Sequence, residues 1–281
     1  MPQPRLSAEI MGWEALPAEA RAAWPRLRAL GGLEHPFFDL RYLDAAAQVA
    51  PHAQVAVLTE AGRGLAGLLP FQRRGGLIQP LGAPLSDYHG LLGDADPGQA
   101  LAAVVRASGA QAFRFTGLRA RQAPRGARQA HPSMVRDLGD GAPLILGPTA
   151  ESAARAAKNL RRAERALERD VGPITFEWGP ADARTIERVI RRKRLQYRRS
   201  GRHDVFACGW TAELLHLLAR TGDAEFGLRA AVLRAGGRPV AAELGLLGAG
   251  AYHLWFPVYS RTLARYAPGM LMTLRTMEAL R

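Results

Sequence analysis

Cysteine is all but missing: Cys208 is the only one in 281 residues. No internal disulfide can brace the chain, and no cluster of Cys and His has metal-ligand spacing, so no metal is expected. Cys208 itself reads as a small, passive apolar residue. Lysine is almost as scarce, with Lys158 and Lys193 the only two among 38 basic residues. Hydrophobic residues make up 48% of the chain, yet no apolar run nears the ~20 residues that a bilayer-spanning helix requires. The opening MPQPRLSAEIMGWEALPAEA lacks the basic-then-apolar order of a secretory leader, and a cytoplasmic location is expected. Acidic residues number only 25, which leaves a formal charge of +13.

What is present in excess is arginine, and it is not spread evenly. Arg155 to Arg169 and Arg184 to Arg202 are dense basic stretches of helical character with few counter-charges. An excess of Arg and Ala is what GC-rich coding produces, and a solvated helix face whose long side chains cover apolar neighbours explains part of it. The other account is a positive field that draws in an anionic partner: a CoA thioester, a nucleotide-sugar or lipid-linked sugar, an anionic membrane surface, or RNA. Charge reports the field and not the ligand.

The length allows two compact lobes with cores of their own. Helical patterns cover Ala18 to Leu30 and Asp39 to Val49; the apolar runs 54–60 and 64–73 read as a hairpin around Gly62. A helix over Gln99 to Ala107 and a short strand over Ala112 to Gly117 follow. From Arg119 to Gly147 the chain is rich in Gly, Pro and Arg and reads as a connecting region. The expected division is 1–147 and 148–281. In the second part a long helix starts near Pro148, with Thr149 or Ser152 as N-cap. After it come a strand over Pro173 to Trp178 between two helices and a helix over Trp210 to Arg220.

The last forty-odd residues are the most informative. Leu228 to Leu233 and Pro239 to Leu247 are apolar strands about the turn Gly236-Gly237, and Tyr252 to Tyr259 is an aromatic third strand. Tyr266-Ala267-Pro268-Gly269 then precedes Met270, Leu271, Leu274, Met277 and Leu280 at helical spacing. A helix that opens on a bare glycine lets an anion approach its unpaired N–H groups, where the macrodipole also favours negative charge.

These strands, the Tyr266 to Leu271 segment, the upstream Lys193, Gln196, Gly201, Asp204 and Phe206, and Pro84-Leu85-Ser86-Asp87-Tyr88 together resemble the GNAT acyltransferases. The resemblance is to the FemABX-like branch that contains CelD/BcsL-type proteins of bacterial polysaccharide and cellulose clusters. It implies a mixed-sheet α/β fold in tandem GNAT-like lobes, with acetyl-CoA as co-substrate. The acceptor implied is an amino or hydroxyl group of a sugar, nucleotide-sugar or lipid-linked sugar. It also implies that Tyr266, Pro268, Gly269, Met270 and Leu271 hold the cofactor. One departure is that Ala267-Pro268-Gly269 has a single glycine where many GNAT enzymes have a longer Gly-rich loop, and Pro268 has no N–H to give. Two other functions stay open: tRNA-dependent aminoacyl transfer of the Fem kind, and a catalytically silent fold that binds an anionic polymer.

Acyl transfer also needs a route for the acceptor's proton. Glu243, Asp87 and Tyr88 are the catalytic candidates, with His89 and His253 beside them. Glu243 interrupts an apolar strand; held inside, its raised pKa would make it a base, but strand alternation places it facing outward. Asp87-Tyr88-His89 reads either as part of an acceptor pocket or as a capped turn. Lys193 falls on the apolar face of its helix with Ile186, Ile190 and Tyr197, and Gln196 lies one step round. With His89, Trp255 and Tyr259, these residues are the candidates for binding substrate, flat rings with polar edges being suited to a sugar or adenine ring. Tyr252 and His253 read as core.

Overall fold

The structure is a computed structural model and describes residues 6–115, 117–122, 133, 135–139, 144 and 149–281. In chain order its elements are β1 (Leu6–Gly12), α1 (Ala18–Ala22), α2 (Trp24–Leu30), α3 (Leu40–Val49), β2 (Ala53–Glu60), β3 (Gly64–Arg74), β4 (Leu77–Pro80), β5 (Leu92–Gly93), α4 (Pro97–Ser108) and β6 (Ala112–Phe113). They continue as α5 (Ala150–Val171), β7 (Ile174–Pro180), α6 (Ala183–Ser200), α7 (Trp210–Arg220), β8 (Gly227–Ala235), β9 (Arg238–Gly248), β10 (Ala251–Tyr259) and α8 (Pro268–Ala279). The fold is mixed α/β with two sheets. The connecting region expected over 119–147, and with it the division after residue 147, lies largely outside the described residues.

The chain separates into two compact units whose sequence limits interleave: 1–131 with 205–218 and 248–251, and 132–204 with 219–247 and 252–281. In the first unit the strand order is β1-β2-β3-β4-β6, with β5 also on β3. Every pairing is antiparallel except β4 with β6. Alternation in β1 turns Leu6, Ala8 and Ile10 onto a core of Ala56, Leu58, Leu69, Phe71 and Ile78, which Ala100 and Val104 of α4 cover. Sequence reading missed β1, whose few apolar residues are interrupted by Ser7 and Glu9 and which gains its place by pairing with β2.

In the second unit the order is β10-β9-β8-β7. One face carries Ala231, Leu233 and Ala241 and is covered by Leu160 and Leu167 of α5 and Leu271 and Met272 of α8. Of the two expected N-caps of α5 it is Thr149 that takes the place, in a reciprocal box with Ser152 at the third helical position. Asp182 caps α6 by accepting from the Thr185 N–H at 2.7 Å, and α6 turns Ile186, Val189, Ile190 and Lys193 inward.

The two units repeat one topology that no sequence repeat betrays. Each runs strand, helix, three-stranded meander, helix: β1, α2 and α3, β2-β3-β4, α4 in the first, and β7, α6, β8-β9-β10, α8 in the second, with α7, most of which groups with the first unit, intervening in sequence. Even the irregularity recurs, as a register shift at Leu58/Thr59 between β2 and β3 and at Leu233/Arg234 between β8 and β9. Counting along the ladders from these shifts sets Glu243 on the position of Leu69 and Gly245 on that of Phe71.

Candidate functional site

β10 leads into a 3-10 turn, Arg261–Tyr266, and then Ala267 at φ 49°, ψ 45°. Helix α8 therefore begins at Pro268, one residue before the glycine expected to open it. The Leu271 N–H bonds to the Ala267 carbonyl at 3.1 Å. Pro268 has no N–H, so the donors left without an intrahelical partner are those of Gly269 and Met270. A Cβ on Gly269 would stand 3.4 Å from the Tyr259 ring, so backbone and ring lie close together here. Tyr266, Pro268 and Leu271 are buried and shape the turn from within; the Tyr266 hydroxyl donates to Asp170 Oδ2 at 2.8 Å. Of the five residues expected at the cofactor, only Gly269 and Met270 turn free backbone donors outward.

The equivalent helix start in the first unit is different. Asp96-Pro97-Gly98 opens α4 as Ala267-Pro268-Gly269 opens α8, but the Asp96 side chain accepts from the Gln99 N–H at 2.8 Å. That helix is filled by its own carboxylate. At α8, Ala267 supplies no side-chain cap and the first turn holds no acidic residue, so the positive end of the helix has no carboxylate of its own.

Glu243 is not outward-facing, as alternation suggested: it is fully buried, because β9 is covered on both faces and reads as a continuous core strand. Its Oε1 accepts from the Tyr252 hydroxyl at 3.2 Å, while Oε2 is buried without a hydrogen-bond partner among the described residues. Burial pushes the carboxyl up to about 7, offset in part by the Tyr252 bond. Tyr252, which read as core, is half-buried and links this carboxylate to the surface of β10. Gly245 makes room for it, since a Cβ there would stand 2.2 Å from the phenol oxygen. Trp178 packs edge-on against Tyr252, with ring centroids 6.1 Å apart. Burial also lowers the pKa of Arg229, whose guanidinium donates to the backbone carbonyls of Asp223 and Ala224.

A cleft of about 650 Å³ opens between the C-terminal half of α6 and the end of β10. It brings together Gln196 and Tyr259, two of the expected substrate residues, with Arg192, Arg199 and Arg261. Tyr259 is 51% exposed, whereas Trp255 is buried and stacked on Phe256 at 4.9 Å. Lys193 is buried and Tyr197 half-buried on the inner side of α6, and neither lines the cleft.

Asp87, Tyr88 and His89 lie in the first unit. Asp87 is exposed; the Tyr88 ring meets His35 at 4.5 Å and lies under the Arg119 guanidinium at 5.7 Å. His89 is buried, bonded to the Ser86 backbone, and burial lowers its pKa to about 4 against the pull of Asp87. It therefore stays neutral, and its side chain lines an apolar pocket made with Phe37, Leu69 and Phe113. His253 is half-buried on β10.

Sequence reading missed Tyr252, Gly245 and the convergence of Arg192, Arg199 and Arg261. Gly245 inside an apolar strand was the available signal for a close approach. Among the described residues no group of three or more His, Cys, Asp and Glu gathers as a metal site, and no helix is long and apolar enough to cross a membrane.

Residues 154–281 match the family model of the acetyltransferase (GNAT) domain. No curated protein matches the sequence. A solved structure of a fungal multi-domain GH3 beta-N-acetylglucosaminidase, described as holding a GCN5-related glucosamine N-acetyltransferase region, is similar over 99% of this chain at 9% identity and a TM-score of 0.42. The chain spans 34% of that structure's length. Over 154–281 the chain is thus similar to an acetyltransferase domain of the GNAT type, a family whose enzymes use acetyl-CoA.

Proposed function

We propose that this N-acyltransferase lobe moves an acetyl group from acetyl-CoA to an amino group on a sugar or lipid-linked sugar. The donor's pyrophosphate rests on the N–H groups of Gly269 and Met270, and the amine's proton leaves through Tyr252 to Glu243. The observation that carries the reading is the contrast between the two helix starts: α4 is closed by Asp96, and α8 is open. The contrast extends to the strands, where the position of Glu243 in the second unit is held by Leu69 in the first.

The remaining geometry supports the same assignment. From Tyr259, beside Gly269, back to Tyr252 is seven residues of β10, or about 23 Å at strand rise. A pantetheine arm anchored at α8 and laid along β10 thus carries its thioester toward Tyr252. β10 pairs only with β9 among the described residues, so its outer edge has backbone groups for the pantetheine amides, and Pro257 is tolerated where no ladder bond is made.

In the reaction the amine nitrogen bonds to the thioester carbonyl carbon and the carbon–sulfur bond breaks. Glu243 is fully buried and meets no acceptor directly. Tyr252 receives the amine's proton as it passes its own to Glu243, and the reverse path returns a proton to the departing CoA thiolate. A carboxyl with a pKa near 7 is matched to that exchange at neutral pH.

Calorimetric titration with acetyl-CoA tests the reading. Wild type is expected to bind with micromolar affinity, and Gly269→Asp to lose at least a hundredfold, since its carboxylate opposes the pyrophosphate. Wild type that binds no acetyl-CoA overturns the assignment.

A further inference from the structure

Among the described residues the cleft between α6 and the end of β10 is lined by three arginines and no acidic residue. Arg192 and Arg199 come from α6, one at mid-helix and one in its last turn; Arg261 opens the 3-10 turn that follows β10. None of the three has an ion pair or hydrogen bond among the described residues, although their neighbour Arg194 is paired with Asp204 at 2.8 Å. Three guanidiniums that face one cavity repel one another, and nothing in the lining offsets them. An arrangement of this kind is stabilised by an anion, and the planar donor fork of arginine fits phosphate oxygens two at a time.

The rest of the lining selects what the anion is attached to. Tyr259 stands half-exposed with Val258 and Leu195 beside it, while Gln196, Ser260 and Thr262 bring uncharged donors and acceptors. A flat ring beside a ring of amide and hydroxyl groups is the lining that a sugar takes. The cavity volume lies within the range of small-molecule sites.

We propose that this cleft, set apart along β10 from Tyr252, is a binding subsite for a phosphorylated sugar. Its phosphate or diphosphate lies among Arg192, Arg199 and Arg261, and its ring lies on Tyr259. The phosphate subsite stands on the cleft alone. Because Tyr259 also adjoins Gly269, the phosphates of CoA are the other source of the same chemistry, and the test separates the two.

Calorimetry on the full chain compares glucosamine 1-phosphate, glucosamine and acetyl-CoA in wild type and in the Arg192→Ala/Arg199→Ala double variant. Both side chains are exposed, so folding is not at risk. In wild type presaturated with acetyl-CoA, glucosamine 1-phosphate is expected to bind at least tenfold tighter than glucosamine. In the double variant that preference disappears while acetyl-CoA affinity stays within twofold. A preference that is absent in wild type, or unchanged in the variant, overturns the proposal. Loss of acetyl-CoA affinity in the variant, or competition between the two ligands, hands the arginines to the donor and overturns it as well. Phosphate preference without acetyl-CoA binding keeps the subsite and rejects the transfer reaction.

Discussion

Glu243 is the residue on which the proposed chemistry turns, and its burial has two measurable consequences. Its pKa is raised from 4.5 to about 7 in the fold. Between those values the unfolded chain has released the proton that the native state keeps, so stability falls as pH rises through that window. The contribution is whole below pH 4.5 and gone above about 7. Glu243→Gln has no such proton to lose, and its stability relative to wild type is expected to climb by about 3 kcal/mol from the low to the high end of the window. Thermal melts across pH check this; parallel curves would mean that Glu243 does not titrate there. The same change is expected to lower kcat about a hundredfold and remove the limb near pH 7, because an amide accepts no proton.

At the scale of elements, the two equivalent helices carry opposite instructions at their first turn. Asp96 occupies the start of α4 by bonding the Gln99 N–H, so Asp96→Ala is expected to cost about 1 kcal/mol of stability. Acetyl-CoA affinity should not move, since the proposed donor site is on α8. Denaturant unfolding and a calorimetric titration of this variant read both numbers. A loss of acetyl-CoA binding in Asp96→Ala would place the donor on the wrong helix. Strand β9 makes the matching point for sheets. It was legible as an apolar run, but the period-2 expectation that turned Glu243 outward fails for a strand covered on both faces.

For the molecule as a whole, the interleaving of the two units matters more than the division of the sequence into halves. Segments 205–218 and 248–251 belong with the first unit although they lie far along the chain. Leu214, Leu215 and Leu218 are fully buried there, and a fragment of residues 149–281 carries them away from that unit. Such a fragment is expected to melt without a cooperative transition and to bind acetyl-CoA at least tenfold more weakly than the full chain. A fragment that melts sharply and binds like the full chain would show the lobe to be self-sufficient. The sequence by itself determined the order of helices and strands from Ala18 onward, β4 and β5 excepted, and the N-cap of α5. It also determined the Pro-Gly helix start and the basic stretch on α6, because each is written in neighbouring residues through periodicity, turn chemistry and caps. The tertiary structure alone decided that Glu243 is buried against Tyr252 over Gly245, that three arginines converge beside Tyr259, and that α8 is open where α4 is closed. Those facts depend on which strands pair and in what register, and pairing is set by contacts between residues distant in the chain.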